Sequence, residues 1–102
     1  MIIYSVSVSI DKSIAEEWKA WMLAKHIPDV MATGSFESYQ MAKMIDPEVE
    51  EGSETYNIQY QCLSMEVLDK YRKYFSPKLQ TEHNEKYKGR YAAFRSILEI
   101  VS

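Results

Sequence analysis

The sequence predicts a single α+β domain whose elements follow the order β-α-β-β-α-β. Three observations predict it: a first strand with alternating apolar residues, two amphipathic helical regions with recognisable starts and stops, and an acidic hairpin loop between them. The chain has 102 residues, of which 46% are hydrophobic and 26% charged, and these proportions are typical of one globular domain. We therefore expect residues 1–102 to share one hydrophobic core.

The first strand and the first helix are predicted from periodicity. Residues 2–10 alternate between apolar and mostly small polar side chains, which is typical of a strand with one buried face. The segment Ser13-Ile14-Ala15-Glu16 has the form of a capping box, in which the serine hydroxyl and the glutamate carboxylate satisfy backbone N–H groups at a helix start. The apolar stripe of this helix has the spacing that faces a sheet and comprises Ile14, Trp18, Trp21 and Met22.

Pro28 interrupts the first helical region. Because proline lacks a backbone N–H and disfavours helical geometry at the residue before it, we expect the helix to end or kink near His26. A short helical segment should follow, with Pro28 at its first position and Gly34 as its stop.

Two strands joined by a hairpin are predicted after this segment. Residues 36–45 and 55–63 both suit strands. The acidic stretch between them contains a proline and Gly52, which favour a turn. We expect the two strands to lie antiparallel.

The second helical region is predicted in two parts. Ser64 starts a helix whose inner face holds Leu68, Tyr71 and Phe75. Ser76, as a cap with Pro77 at the first helical position, predicts a re-oriented continuation that Gly89 ends. Residues 91–101 then form the last strand.

This order of elements is the split β-α-β pattern and predicts a ferredoxin-like fold, a four-stranded antiparallel sheet with the helices on one face. One layer of helices leaves the other face of the sheet uncovered. Depending on strand register, the apolar side chains on that face are drawn from Ile3, Tyr39, Met41, Ile45, Tyr91 and Phe94. Such a face indicates a homodimer that packs sheet against sheet, a dimeric α+β barrel.

Composition and charge argue against several classes of protein. Twelve basic and fifteen acidic residues give a net charge of -3, so we expect no nucleic-acid binding, and residues 55–62 lack the basic and glycine positions of an RNA-recognition motif. The apolar runs are strand-sized and the N-terminus does not read as a secretory signal, so we expect no membrane association. The single cysteine, Cys62, lies in an apolar alternating run, which predicts a buried thiol and a cytoplasmic protein.

Metal and cofactor sites have no support in the sequence. The two histidines and the scattered carboxylates lack a spacing that converges on a metal ion. With three glycines in the chain, there is no phosphate-binding loop, and no serine has the context of a hydrolase nucleophile. We predict neither a metal nor a cofactor.

Both histidines are candidate site residues. His83 shares a helical stripe with Leu79 and Tyr87 that should face the sheet, where an imidazole could act as acid, base or ligand, or serve as a hydrogen-bonded core residue. His26 and Asp29 lie on either side of the proline break, where they either stabilise the helix ends or join the site.

The tyrosines supply the remaining candidates. Eight tyrosines occur in the chain, and most should belong to the core or an interface because each has a large apolar body with a polar tip. A subset that lines a pocket with Arg95, including Tyr60 and Tyr39, could hold a small planar or anionic ligand.

Several stretches resemble a bacterial family of small domains of unknown function. They are HIPDVMATGSF at residues 26–36, LQTEH at residues 79–83 and GRYAAFR at residues 89–95, together with the opening strand and the IQY segment at residues 58–60. The resemblance extends over essentially the whole chain and implies a fold and not an activity.

The strand order is also similar, more distantly, to the dimeric α+β barrel superfamily. Its members include antibiotic-biosynthesis-type monooxygenases, haem-degrading enzymes, muconolactone isomerases and stress-responsive barrels. The resemblance implies a dimer with a pocket between the sheet and the helices of each protomer. The haem-degrading members use an asparagine on the first strand, where this chain offers only serines on the polar face, so haem degradation is disfavoured.

Three functions remain open at this point. We favour a small-molecule-binding or stress-type dimeric barrel with a pocket lined by His83, Tyr60 and Arg95. The alternatives are a cofactor-independent monooxygenase or isomerase, which needs a histidine or tyrosine with a shifted pKa beside a cavity, and a structural dimerisation module, which needs no cavity.

Overall fold

The computed structural model describes residues 1–48 and 50–102. Its helices and strands, in chain order, are β1 (Ile2–Asp11), α1 (Ala15–Trp21), α2 (Ile27–Ala32), β2 (Ser38–Lys43), β3 (Ser53–Cys62), α3 (Met65–Tyr74), α4 (Ser76–Tyr87) and β4 (Tyr91–Glu99). The strands form one four-stranded sheet in the order β2-β3-β1-β4, and each neighbouring pair is antiparallel. The predicted α+β, ferredoxin-like fold is confirmed.

The alternation of β1 determines which face of the sheet is buried. Tyr4, Val8 and Ile10 lie under the helices and belong to one core cluster with Trp18 of α1 and Leu68 of α3. Successive strand residues point to opposite faces. The register of β1 with β3 and β4 therefore assigns each side chain of those two strands to one face. The helices therefore cover one side of the sheet.

The register corrects part of the predicted open face. Tyr39 and Met41 of β2 lie beside helix-face residues of β3, and Tyr91 pairs with the buried Ile10, so these three side chains lie on the helix face. Ile45 follows β2, outside the sheet, and its side chain is 85% exposed. The alternatives were open in the sequence because period-two patterns alone do not fix register.

Within the described ladder, the open face carries one charged residue, Asp11, in the last β1–β3 pair. The other side chains on this face are those of Ile3, Ser5, Ser7, Ser9, Ser38, Gln40, Ala42, Ser53, Thr55, Asn57, Gln59, Gln61, Ala92, Phe94, Ser96 and Leu98. The amide of Asn57 donates to the hydroxyls of Ser5 and Ser7 over 2.9 and 3.0 Å. Phe94 is the most exposed of the large apolar members, at 70%.

The start of the first helix differs from the predicted capping box. The carboxylate of Asp11 accepts hydrogen bonds from the backbone N–H and the hydroxyl of Ser13, over 2.9 and 2.7 Å. Because Asp11 engages the serine hydroxyl, Ser13 lies inside a short 3-10 turn, Lys12–Ile14, and α1 begins only at Ala15. The predicted cap at Ser13 was wrong.

The chain continues in helical form through the proline. The segment Met22–His26 forms a π-helical turn, α2 begins at Ile27, and Pro28 lies in the first turn of α2. Because the first-turn N–H groups of a helix lack intrahelical partners, the missing N–H of Pro28 costs little there. The predicted change of helix near His26 and the stop at Gly34, whose φ is 75°, are confirmed.

The second helical region confirms the break and corrects its details. Ser64 caps α3 by accepting the N–H of Val67 over 3.3 Å, as predicted. Ser76 does not cap α4, because it is already the first helical residue and its buried hydroxyl accepts a hydrogen bond from the Gln80 amide. Phe75 is 42% exposed and is not an inward residue. The last strand ends at Glu99, two residues before the predicted end.

Candidate functional site

A cavity of about 370 Å³ lies between the helix face of the sheet and the helices. Its floor comes from β1, β3 and β4, and its walls come from the π-helical turn, α2, α3 and α4. Four of the sequence-predicted site residues line it, namely His26, Tyr60, His83 and Arg95. Its volume falls in the range of about 300–1,000 Å³ that is usual for small-molecule sites.

Two other predicted residues lie outside this cavity. Tyr39 stands on the edge strand β2, beside Tyr60 at a ring-centroid distance of 6.5 Å, and its side chain is 44% exposed. Asp29 lies on the outer side of α2, where its carboxylate pairs with Lys25 one helical turn earlier. Neither side chain is among the residues that line the cavity.

His83 is held by a hydrogen bond inside the core. The indole Nε1–H of Trp18 donates to Nε2 of His83 over 3.0 Å. Because an indole N–H is only a donor, Nε2 must carry its lone pair, and the proton of the neutral ring is on Nδ1. Burial, with smaller contributions from His26 and the positive charge of Arg95, lowers the pKa of His83 to about 4. His83 is therefore neutral at pH 7.

The ring of His83 lies among other rings. Its closest ring neighbour is Tyr91 of β4, edge-on at a centroid distance of 4.5 Å. The other rings lie at 5.4 to 6.4 Å and belong to Trp18, Trp21, His26 and Tyr87. Such a setting removes water from the imidazole and leaves flat apolar surfaces beside it.

His26 is the second histidine of the cavity. Burial lowers its pKa, while Glu82 and Asp29 oppose that shift by attraction. Its Nδ1 is buried and has no hydrogen-bond partner among the described residues, and the same is true of Oε1 of Glu82. Oε1 of Glu82 lies 3.9 Å from Nζ of Lys25, which is an ion-pair distance and too long for a hydrogen bond.

Arg95 supplies the positive charge of the cavity. It lies on the helix face of β4, opposite Val6 in the register, and lines the cavity. Within the described parts of the chain, no ion pair includes its guanidinium. An arginine in this state has donors available for a planar anion.

Tyrosine hydroxyls lie at the same end of the cavity as Arg95. Tyr4 and Tyr60 are register partners on β1 and β3, and Tyr71 of α3 packs edge-on against Tyr4 at 5.9 Å. Burial raises the pKa of Tyr60 and of Tyr71 far above the usual tyrosine range, and the neighbouring tyrosines add to it. These phenols therefore stay protonated and can donate hydrogen bonds.

A second groove adjoins the cavity at this end. It has a volume of about 460 Å³ and shares Tyr4, Ser76, Gln80 and Arg95 with the cavity. Arg72 of α3 also lines this groove and pairs with Asp69 over 2.7 Å. The Arg95 end of the cavity thus opens toward a second guanidinium.

The described residues contain neither a metal-binding cluster nor a membrane-spanning helix. Over residues 1–48 and 50–102, no group of three or more histidine, cysteine, aspartate or glutamate residues could hold a metal ion. Within the same ranges, no helix has both the length and the apolar character needed to cross a membrane.

Three residues of the site were not singled out from the sequence. Trp18 was predicted only as part of an apolar stripe, and its bond to His83 joins positions 65 residues apart. Tyr4 and Tyr71 were predicted as inward residues and not as cavity residues. Their positions on buried faces could have been used to find them. That they cluster around Arg95 follows only from the strand register.

The chain matches one described family of sequences. The family described as a domain of unknown function, DUF4286, matches residues 1–101. No functionally curated protein matches the sequence.

Solved structures with the same fold include proteins of several kinds. An ethyl tert-butyl ether D (EthD) family protein from Bacillus halodurans has a TM-score of 0.68 at 13% identity, with 99% of this chain and 100% of that chain covered. A dimeric ferredoxin-like protein from an uncultured marine organism has a TM-score of 0.65 at 6% identity, with 99% and 96% covered. SnoaB, a cofactor-independent oxygenase from Streptomyces nogalater, has a TM-score of 0.65 at 8% identity, with 99% and 94% covered. At these identities the likeness shows the fold alone.

Proposed function

The chain belongs to the DUF4286 family, and we propose that this member binds a small planar anion in the cavity between its sheet and its helices. The observation that carries the proposal is Arg95, a guanidinium without an ion-pair partner among the described residues, beside a wall of aromatic rings. Guanidinium groups bind carboxylates in a bidentate manner, and flat rings stack on tyrosine and histidine. The ligand is thus an aromatic acid.

Calorimetric titration tests this proposal with two probes of the same size, 2-naphthoate and the uncharged 2-naphthalenemethanol. We expect the acid to bind more tightly, and Arg95→Gln to weaken its binding by roughly tenfold or more, because a hydrogen bond to a charged group contributes about 1.5–3 kcal/mol. Arg90→Gln is the matched control, because Arg90 pairs with Asp11 outside the cavity. Equal binding of both probes, or equal losses in both variants, contradicts the proposal.

The second candidate function is cofactor-independent catalysis of the monooxygenase or isomerase type. Its support is that two histidines with lowered pKa values, His26 and His83, lie together at a cavity. A pKa of about 4 makes His83 a weak base, however, and general bases work best with a pKa near the working pH. Its Nε2 lone pair is also engaged by Trp18. Binding is therefore the better supported of the two functions.

The two candidates differ in a measurable way. An enzyme would consume oxygen or isomerise an aromatic acid with many turnovers, and His83→Gln would abolish turnover while the protein stays folded. A binding domain gives stoichiometric binding without turnover. The third alternative, a module for dimerisation alone, provides no reason for a cavity of about 370 Å³.

The assembly belongs to the same proposal. We propose that the chain forms a homodimer through the open face of the sheet, giving a dimeric α+β barrel. The support is a ladder face that exposes Phe94 and whose one charged residue among the described strands, Asp11, lies at the end of the ladder, since charged residues are depleted at interface cores. A similar fold is found in a protein described as dimeric.

The buried thiol of Cys62, the single cysteine of the chain, supports a cytoplasmic location.

A further inference from the structure

The hydrogen bond from Trp18 decides what His83 can offer to a ligand. Nε2 accepts the indole proton, so the remaining polar atom of the neutral ring is the Nδ1–H donor. Among the described residues, the bond to Trp18 is the one side-chain hydrogen bond that His83 makes, and His83 lines the cavity. The cavity therefore contains a neutral N–H donor and no basic nitrogen at this point.

The donor and the cation meet the cavity at different positions along β4. His83 packs edge-on against Tyr91 at 4.5 Å, and Arg95 lies on the same face of the same strand, four positions further along. At about 3.3 Å per strand residue, the Cα atoms of Tyr91 and Arg95 are roughly 13 Å apart. The Arg95 side chain is long enough to bring its guanidinium considerably closer to His83 than these two Cα atoms are to each other.

Arg95 and His83 favour different kinds of ligand oxygen. Arg95, with the tyrosine hydroxyls beside it, suits a carboxylate because a guanidinium and protonated phenols are all donors. The neutral Nδ1–H of His83, surrounded by rings, suits an uncharged acceptor, because burying a second anion among aromatic rings costs more than burying a carbonyl. The neighbouring His26 adds no positive charge at pH 7, because burial lowers its pKa.

These positions define a class of ligand. Building on the proposed binding function, we propose that the ligand is a planar acid that carries a ring carbonyl in addition to its carboxylate, the carbonyl accepting the Nδ1–H of His83 and the carboxylate binding Arg95. His83 is then a specificity-determining residue that distinguishes oxo acids from simple aromatic acids.

A pair of planar two-ring acids tests the inference. Chromone-2-carboxylate carries a ring carbonyl, and 2-naphthoate has a similar shape without one. We expect the wild-type protein to bind the chromone roughly tenfold more tightly, the effect of one added buried hydrogen bond. In His83→Phe this preference should fall to about twofold or less. Tyr87→Phe, on the same helical stripe but outside the cavity, should keep it.

The outcomes separate this inference from the proposed function. If both acids bind equally to the wild-type protein, or if His83→Phe keeps the preference, the inference is overturned while anion binding stands. If neither acid binds, both are overturned. If His83→Phe does not fold, nuclear magnetic resonance of the wild-type protein decides: the Nδ1–H signal of His83 must shift with the chromone and not with 2-naphthoate.

Discussion

Trp18 and His83, 65 residues apart in the sequence, share a buried hydrogen bond of 3.0 Å. The bond ties α1 to α4 across the top of the sheet and fixes the tautomer of the histidine. Both side chains are buried, Trp18 completely. This pair therefore links the stability of the helical layer to the chemistry of the cavity.

The first prediction concerns Trp18 itself. Trp18→Phe removes the donor and leaves Nε2 of His83 unpaired in the core, and it also reduces a fully buried side chain. We expect the free energy of unfolding, measured by urea denaturation, to fall by about 2–3 kcal/mol. Trp21→Phe is the control, because Trp21 is only partly buried, and it should cost about 1 kcal/mol or less. Equal losses would contradict the account.

The second prediction concerns acid stability. The pKa of His83 is lowered from 6.5 to about 4, mainly by burial. Between these two pH values the unfolded chain therefore binds a proton that the native state does not. Stability must therefore rise with pH across the window and fall as the pH drops from 6.5 toward 4.

A variant isolates this contribution. In His83→Gln the amide oxygen can still accept from Trp18, but the side chain does not titrate. Between about pH 7 and about pH 4.5, the wild-type protein should lose roughly 2 kcal/mol more free energy of unfolding than the variant. The contributions of His26, Glu82, Asp29 and Lys25, which act on the same region, are present in both proteins. Parallel pH profiles would contradict the lowered pKa.

The third prediction concerns Cys62. Its side chain is 0% exposed, and burial raises the pKa of the thiol. Because thiolates are the reactive form, we expect Ellman's reagent to label the native protein at least about a hundredfold more slowly than the urea-unfolded protein. Rapid labelling of native protein would show that β3 is not buried as described.

The fourth prediction concerns the open face. Phe94 is 70% exposed on this face, so Phe94→Lys would place a charge in the proposed dimer interface. We expect the wild-type protein to sediment as a dimer in analytical ultracentrifugation and the variant to dissociate at least about tenfold more readily. Leu23→Lys, which adds a charge to a half-exposed apolar residue of the π-helical turn, should remain dimeric. A monomeric wild-type protein would contradict the interface.

Much of the fold follows from local patterns. The strict alternation of β1 predicted its buried face, and the spacing of Leu79, His83 and Tyr87 predicted the inward stripe of α4, in which His83 and Tyr87 are buried. The helix starts were harder to predict because Asp11, Ser13 and Ser76 all have side chains that can cap. Which one caps depends on the neighbours that compete for each hydroxyl, as Asp11 does for Ser13.

The cavity was only partly predictable. His83 and Arg95 could be named from their residue types and elements, but their common cavity depends on the register of β4 against β1. Tyr39 and Asp29 lie outside it, since β2 is the edge strand and Asp29 pairs with Lys25 on the outer side of α2. The bond between Trp18 and His83 has no local signal, because it arises only when the two helices pack together.

The most direct test of the proposed function is a crystal structure of the protein grown with 2-naphthoate. We predict that the ring system occupies the cavity between Tyr60, His83 and Tyr91 and that the carboxylate lies within hydrogen-bond distance of the Arg95 guanidinium. An empty cavity at a saturating concentration of the acid, or a carboxylate bound away from Arg95, would contradict the account.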